Sequence, residues 1–121
     1  MSHDNLRERT FRYAANCIGS VRPLLTDPLG RFLVGQIVRS SGGVASNYNS
    51  ACHAKSRPDF ASKVSVVAEE AAETVLWFRL MVEIGLLPAR VAQPLIAEGE
   101  ELTAIAVASA RTARRPRKEG A

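Results

Sequence analysis

Apolar side chains recur every three or four residues along most of the chain, which is the pattern of helices with one buried face. In the first such segment, Leu6, Tyr13 and Cys17 fall on the same side of a helix. No segment alternates between apolar and polar residues with the period of two that is typical of a strand. We therefore predict four helices and no strand. The predicted helices cover about residues 4–21, 28–53, 58–84 and 89–113.

Prolines and one glycine indicate where these segments begin and end. Pro23 should end the first helix, because the residue before a proline avoids the helical conformation. Asp27 followed by Pro28 predicts a helix start, with Asp27 as the N-cap residue and Pro28 at the first helical position. Pro58 predicts the start of the third helix in the same way. Gly85 predicts its end, because glycine readily adopts the left-handed conformation that closes many helices.

Two features leave alternatives open. The pair Gly42-Gly43 in the middle of the second helix costs about 1 kcal/mol per glycine relative to alanine. Either the helix breaks there, or the glycines allow a neighbouring helix to approach closely. The apolar stripe keeps its register from Ile37 to Tyr48, which favours one continuous helix. Pro94 either kinks the fourth helix or marks its first turn, with residues 89–93 forming a separate short turn.

Four helices joined by short loops pack most simply as antiparallel neighbours. We therefore predict an all-α fold, an up-down-up-down four-helix bundle, over residues 1–113, followed by a flexible basic tail over residues 114–121. The third helix carries apolar residues beyond its main stripe, among them Val66, Leu80 and Ile84. A face of this width predicts a helix that is central to its bundle or is also buried in an oligomer.

The composition fits a globular protein that needs no covalent crosslink. Of the 121 residues, 46% are hydrophobic and 23% are charged, which is ordinary for a folded domain. The first residues are polar, and no apolar run reaches the length of a transmembrane helix, so we expect no membrane partner. Cys17 and Cys52 fall near opposite ends of neighbouring helices, too far apart to bridge. We therefore expect reduced thiols and a cytoplasmic location.

The net charge of +4 is distributed unevenly along the chain. Residues 1–57 carry a balance of +5, residues 58–110 a balance of −5, and residues 111–121 a balance of +4. Segregation of this kind favours pairing within the chain, pairing between subunits, or a basic surface that binds a polyanion.

An ordered set of short motifs lies between Gln36 and Leu87. In chain order the motifs are Arg39-Ser40, Ser46-Asn47-Tyr48, Pro58-Asp59-Phe60 with Lys63, Glu70, Glu73-Thr74 and Ile84-Gly85-Leu86-Leu87. With these motifs the segment resembles the bacterial four-helix bundle proteins related to the protein encoded in intervening sequences of 23S ribosomal RNA genes. The chain differs from that family at Asn49-Ser50, where the family usually has Ala-Glu, so we carry over no contact of that glutamate.

The resemblance implies a left-handed four-helix bundle that assembles into a homopentamer with a central channel. It also implies a relationship to the accessory protein of diversity-generating retroelements, a basic pentamer that binds nucleic acid and a reverse transcriptase. From the family we therefore expect a self-associating protein, with RNA or DNA and a nucleic-acid enzyme as further partners.

Four polar residues lie close to the predicted helix contacts. Asn47 falls within the apolar stripe of the second helix, and we predict that it hydrogen-bonds across helices and fixes their register. The alternative is that Asn47 contacts nucleic acid or lines a channel. Glu70 and Glu73 on the third helix are predicted to be partners of Arg39 or Lys63.

No set of residues points to catalysis or to a cofactor. A catalytic pair of carboxylates needs shielding and a substrate pocket, and the surroundings of Glu70 and Glu73 indicate neither. Cys52 and His53 are adjacent, so they point about 100° apart on a helix, and no second pair has the spacing of metal ligands. We therefore expect no metal, no cofactor and no enzymatic activity.

The clearest functional signal is a set of basic residues near the two ends of the chain. Because the first and fourth helices of an up-down bundle are antiparallel, the start of one should meet the end of the other. A basic patch there, repeated around an oligomer, would bind phosphates in a salt-dependent way without reading sequence. The predicted nucleic-acid-binding residues are Arg7, Arg9, Arg12, Arg111, Arg114, Arg115, Arg117 and Lys118.

Our leading hypothesis is therefore a non-enzymatic homo-oligomeric bundle that binds the backbone of RNA or DNA as an accessory to a nucleic-acid enzyme. The alternative is an oligomeric protein-interaction scaffold, whose charged surfaces bind another protein and not nucleic acid.

Overall fold

The computed structural model of the chain describes residues 3–116, with the side chains of residues 5–116. Within this range the chain is all-helical, with four α-helices and no strand, which confirms that part of the prediction. A short 3₁₀ helix over Arg22–Thr26 joins the first two α-helices. The α-helices are α1 (His3–Val21), α2 (Pro28–Ala51), α3 (Arg57–Glu83) and α4 (Ala89–Arg114).

Local side-chain chemistry explains the starts of α2 and α3. Asp27 has an extended backbone, and its carboxylate accepts a hydrogen bond of 2.7 Å from the Gly30 N–H. Ser56 does the same for α3, where its hydroxyl accepts from the Asp59 N–H at 3.2 Å. In both helices a proline near the first position supplies a backbone angle that suits the helix.

Gly85 closes α3 with a left-handed residue. Its φ is +77°, and no non-glycine residue in the described chain has a positive φ. The Gly85 N–H donates to the Val82 carbonyl, and the Leu86 N–H donates to the Met81 carbonyl. This pair of bonds forms a Schellman motif, which satisfies carbonyls that the helix leaves open.

α1 ends at Val21, as predicted from Pro23, and the chain continues as the 3₁₀ helix, which accepts a proline in its first turn. The other three helix ends differ from the predicted ones by one or two residues, with the end of α3 at Glu83, one residue early. The second helix ends at Ala51, two residues early, because bonds from His53 to Ser50 and from Ala54 to Ala51 tighten its last turn. The fourth helix extends to Arg114, so this residue belongs to α4 and not to the tail.

α2 runs without interruption through Gly42 and Gly43. A Cβ at Gly43 would lie 2.6 Å from Oε2 of Glu70 on α3, whereas a Cβ at Gly42 would meet nothing within 4 Å. The helix is therefore continuous, and Gly43 alone allows a close approach by its neighbour.

Pro94 lies inside α4, in its second turn. Residues 89–93 belong to the same helix, so the alternative that placed the start of the helix at Pro94 is wrong. A proline so close to the start removes one backbone hydrogen bond and leaves the rest of the helix intact.

Each helix packs against two neighbours, and the pairs α1–α3 and α2–α4 make no close backbone contact, as in a bundle with four corners. Its centre holds large side chains that are fully buried, such as Ile37, Phe78 and Met81. Ser40 on α2 and Thr74 on α3 are also fully buried, and their hydroxyls share a hydrogen bond of 2.7 Å. The Thr74 hydroxyl also bonds to the Glu70 carbonyl at 2.8 Å, so the contact with Thr74 chiefly satisfies the buried Ser40 hydroxyl and favours this register between α2 and α3.

Across the part of the chain that the structure describes, none of the helices combines the length and the apolar character needed to cross a membrane.

Candidate nucleic-acid interface

Basic side chains from several segments lie at one end of the bundle. Arg7, near the start of α1, donates a hydrogen bond of 3.1 Å to Asn49, near the end of α2. Arg114, at the end of α4, donates a bond of 3.1 Å to the Ser65 hydroxyl in the first third of α3. We call this end of the molecule the basic end. Its basic residues are Arg7, Lys55, Arg57, Arg111, Arg114 and Arg115.

Two of the predicted arginines on α1 are matched by carboxylates. Arg9 lies 2.7 Å from a carboxylate oxygen of Glu98 and 3.0 Å from one of Glu101, both on α4. The hydrogen bond with Glu98 raises the pKa of the Arg9 guanidinium above its usual range, against the opposing effect of burial. Arg12 pairs with Glu8 one turn earlier at 3.1 Å, and both side chains are exposed. Arg9 therefore joins α1 to α4, and neither arginine adds much uncompensated charge.

The arginines at the end of α4 face α3 and not α1. Arg111, Arg114 and Arg115 line a groove of about 610 Å³ between α3 and α4. Among its described lining residues, Glu69 is the single carboxylate against these three arginines. The two predicted clusters therefore lie on different sides of the bundle and do not merge into one patch. Arg117 and Lys118 lie outside the described residues.

The sequence analysis did not assign Arg57 to the site, and the structure places it at the centre of the basic end. Its guanidinium donates to the backbone carbonyls of Thr112, at 3.1 Å, and of Arg115, at 3.2 Å. These carbonyls lie at the end of α4, where no later N–H group of the helix can donate to them. The negative end of the helix dipole also favours a cation there. The sequence did contain one signal for this role, which is a basic residue beside Pro58 at the start of a helix. An antiparallel neighbouring helix ends next to such a start, and a basic side chain there can bind its last carbonyls.

The predicted polar residues form a network on the surface between α2 and α3. Arg39 on α2 pairs with Glu73 on α3 and lies 3.5 Å from a carboxylate oxygen of Glu70. The indole N–H of Trp77 also donates to Glu73, at 2.9 Å. This arrangement holds both carboxylates in ion pairs or hydrogen bonds, which is typical of a structural role.

Asn47 makes a different bond from the predicted one. Its amide donates to the Gly43 carbonyl, at 2.8 Å, one turn earlier in the same helix. This bond stays inside α2, because Asn47 is only partly buried at the edge of the stripe. The polar contact that crosses between α2 and α3 inside the core is instead the one between Ser40 and Thr74.

The opposite end of the bundle carries large apolar side chains that remain exposed. Leu29 and Phe32 lie at the start of α2, Leu76 and Leu80 are exposed near the end of α3, and Ile84 directly follows α3. Between 40% and 59% of each side chain's surface is accessible. Ser40 on α2 contacts Thr74 on α3, and Phe32 lies two turns before Ser40. Because residues later in α2 lie beside residues earlier in α3, Phe32 lies beside the turn of α3 that holds Leu80. We call these five residues the apolar face.

Cys17 does not have the surroundings of a catalytic nucleophile. Burial raises the pKa of the Cys17 thiol to about 12, although the neighbouring Tyr13 partly opposes this shift. A reactive cysteine has a lowered pKa in a basic or polar environment. Within residues 5–116, no three side chains of the metal-binding types His, Cys, Asp and Glu come together.

Comparisons with known proteins agree with the helical architecture. Residues 30–108, more than half of the chain, match the model of a family described as 23S rRNA-intervening sequence protein. A comparison with curated proteins finds no match.

A solved structure shows the same fold. It is a protein of unknown function from the S23 ribosomal protein family of Bacteroides thetaiotaomicron. The TM-score is 0.79 at 20% sequence identity, over 85% of this chain and 95% of the other. At this level of identity the likeness is one of fold alone.

Proposed function

The chain belongs to the 23S rRNA-intervening sequence protein family, and on this premise we propose that it is a non-enzymatic homo-oligomer that binds the backbone of nucleic acid. The observation that carries the proposal is the basic end. There, cations from α1, from the loop before α3 and from α4 surround the same end of the bundle, and few carboxylates balance them.

The chemistry of the basic end suits phosphate groups. Arg111 and Arg114 face an open groove, and among residues 5–116 no ion pair involves Arg7, Lys55 or Arg111. Arginine side chains bind phosphate through pairs of parallel hydrogen bonds. Binding to the backbone alone releases counterions, so the affinity should fall steeply with salt and depend little on sequence.

We also propose that the protomers assemble into a pentamer, as the family resemblance implies. The apolar face supports self-association, because large apolar side chains exposed towards one end of the bundle would be buried by contact with a second copy. Multi-angle light scattering should give the mass of about five protomers of 13.1 kDa each. A particle with the mass of one protomer would overturn the assembly.

Our proposal for the bundle itself is an antiparallel up-down-up-down order with a left-handed twist. The contacts of Arg7 with Asn49 and of Arg57 with Thr112 support the antiparallel order, since each joins the start of one helix to the end of another. The handedness rests on the resemblance. A homo-oligomer of such bundles would repeat the basic end around its axis, which raises the affinity for a long polyanion.

Fluorescence anisotropy with labelled RNA and DNA, single-stranded and duplex, tests the binding. Replacing Arg111, Arg114 and Arg115 with serine should weaken binding to every probe. The matched control replaces three exposed arginines at the opposite end of the bundle, Arg22, Arg79 and Arg90, so that the net charge changes equally. Equal losses in both variants would mean that overall charge, and not the basic end, attracts the probe.

The competing function is a protein-interaction scaffold. The apolar face favours it, because such a surface can also bind another protein. If the wild-type protein assembles but binds none of the probes at low salt, the scaffold replaces the nucleic-acid proposal. A nucleic-acid enzyme remains the partner that we propose in either assembly, and a pull-down against a reverse transcriptase tests it.

A further inference from the structure

A second groove opens at the basic end, on the other side of α4 from the arginine-lined one. It has a volume of about 740 Å³ and lies where the end of α2, the start of α3 and the end of α4 meet. Small side chains leave this space open. They are Ala51, Ala54, Ala108 and Ala113. We call it the end groove.

The lining of the end groove combines aromatic and positively charged groups. Phe60, which is half-buried, contributes an aromatic ring, whereas Tyr48 borders the groove but is only 3% exposed. Lys55 and Arg57 contribute the charges. None of the described lining residues is acidic, although the adjacent Asp59 pairs with Lys63 at 2.8 Å. The groove is therefore complementary to a ligand that joins a flat apolar group to an anion.

The two grooves flank the last turns of α4. Ala108 and Thr112 line the end groove, whereas Arg111 and Arg114 line the groove toward α3. A strand of nucleic acid crossing these turns would place phosphates on the arginines and on Lys55. Its next base would then lie at the end groove, whose volume is within the range of pockets for small molecules.

We propose that the end groove receives one unstacked base of a single-stranded nucleic acid. This inference rests on the proposed function and deepens it, because it names the single strand as the preferred class of ligand. A base can stack on aromatic side chains whatever its sequence, whereas the bases of a duplex are already stacked and paired. Ser109 and Thr112 also line the groove, and their hydroxyl groups can donate hydrogen bonds to the edge of the base or accept hydrogen bonds from it.

The test fills the groove without disturbing the core. Ala108 is exposed and lines the groove, so Ala108→Leu occupies part of the space with little cost to folding and adds no ring on which a base could stack. Ala97→Leu is the matched control, since Ala97 is exposed on the same helix about 16 Å away and lines no part of the groove. The probes are a single-stranded oligodeoxyadenylate, an abasic strand of the same length, and a duplex.

Fluorescence anisotropy at low salt should show that Ala108→Leu weakens binding of the single strand about tenfold, which is the order that stacking of one base contributes. The duplex and the abasic strand should bind Ala108→Leu and the wild-type protein equally. The Ala97→Leu variant should match the wild-type protein with all three probes. The wild-type protein should bind the abasic strand about tenfold more weakly than the oligodeoxyadenylate.

Other outcomes separate this inference from the proposed function. If Ala108→Leu weakens the duplex as much as the single strand, or if the abasic strand binds as tightly as the strand with bases, the base site is overturned and backbone binding stands. The same holds if the protein binds only the duplex. If the wild-type protein binds no probe, the proposed function fails, and the base site fails with it.

Discussion

Gly99 allows α4 to approach both α1 and α3 closely, and Gly99→Ala should destabilise the bundle. A Cβ at this position would lie 2.5 Å from the Tyr13 hydroxyl oxygen on α1 and 2.6 Å from a methyl carbon of Val75 on α3. Only 2% of Tyr13 and 8% of Val75 is exposed. Both side chains are stiff and enclosed, so the helices themselves must move apart.

Two opposing effects set the magnitude. Overpacking a core costs about 1–3 kcal/mol, and two contacts of this length together place Gly99→Ala near the upper figure. Replacing glycine by alanine inside a helix contributes about 1 kcal/mol in the other direction. We expect a net loss of about 2 kcal/mol in the free energy of unfolding. At about 4 °C per kcal/mol for a chain of this size, Tm should fall by roughly 8 °C.

The matched control is Gly35→Ala. Gly35 is exposed inside α2, and a Cβ there would meet nothing within 4 Å. Only the helix propensity changes, so this variant should gain about 1 kcal/mol. Urea unfolding followed by far-ultraviolet circular dichroism compares both variants with the wild-type protein at one protomer concentration, since assembly contributes to stability. A Gly99→Ala variant as stable as the wild-type protein would refute the close packing at Gly99.

Three further predictions concern Cys17, Arg57 and Cys52. The free energy of unfolding should fall as the pH rises from 9.0 towards about 12, because the Cys17 thiol loses its proton near 9.0 in the unfolded chain and near 12 in the folded one. Over the same pH range, the urea midpoint of Cys17→Ala should fall less than that of the wild-type protein. Arg57→Ala should lower the free energy of unfolding by about 1 kcal/mol, because two carbonyls of α4 lose their donor; Lys55→Ala, measured in the same way, should change it little. A thiol reagent should modify the half-buried Cys52 in the native protein and the buried Cys17 only after unfolding, and equal rates would contradict the buried position of Cys17.

Local chemistry was sufficient to predict the starts of α2 and α3. Asp27-Pro28 and Ser56-Arg57-Pro58 place an N-cap residue before a proline, and a cap acts on groups within three residues of itself. The end of α4 depends on Arg57, which is 55 residues away from Thr112 in sequence. No pattern near Arg114 contains that contact, so the sequence predicted the end of α4 to within one residue but not the side chain that binds its last carbonyls.

The prediction of the candidate site from sequence was limited in the same way, because its contacts also join different helices. The sequence grouped Arg7, Arg9 and Arg12 by residue type, but the register between α1 and α4 decides which of them meets a carboxylate. Arg9 meets Glu98 because both lie on the sides of their helices that face each other. Periodicity also placed Asn47 in the apolar stripe, although its partner is one turn away in its own helix. The partner of such a residue depends on distances between helices, and a single sequence does not contain those distances.

The salt dependence of single-strand binding tests the central claim most directly. The logarithm of the binding constant, plotted against the logarithm of the salt concentration, has a slope proportional to the number of phosphates neutralised. If the basic end binds the backbone, the variant that replaces Arg111, Arg114 and Arg115 should lose about 2 units of slope per protomer engaged. The variant that replaces Arg22, Arg79 and Arg90 should keep the wild-type slope. An unchanged slope in the first variant, or the same loss in both, would contradict the account.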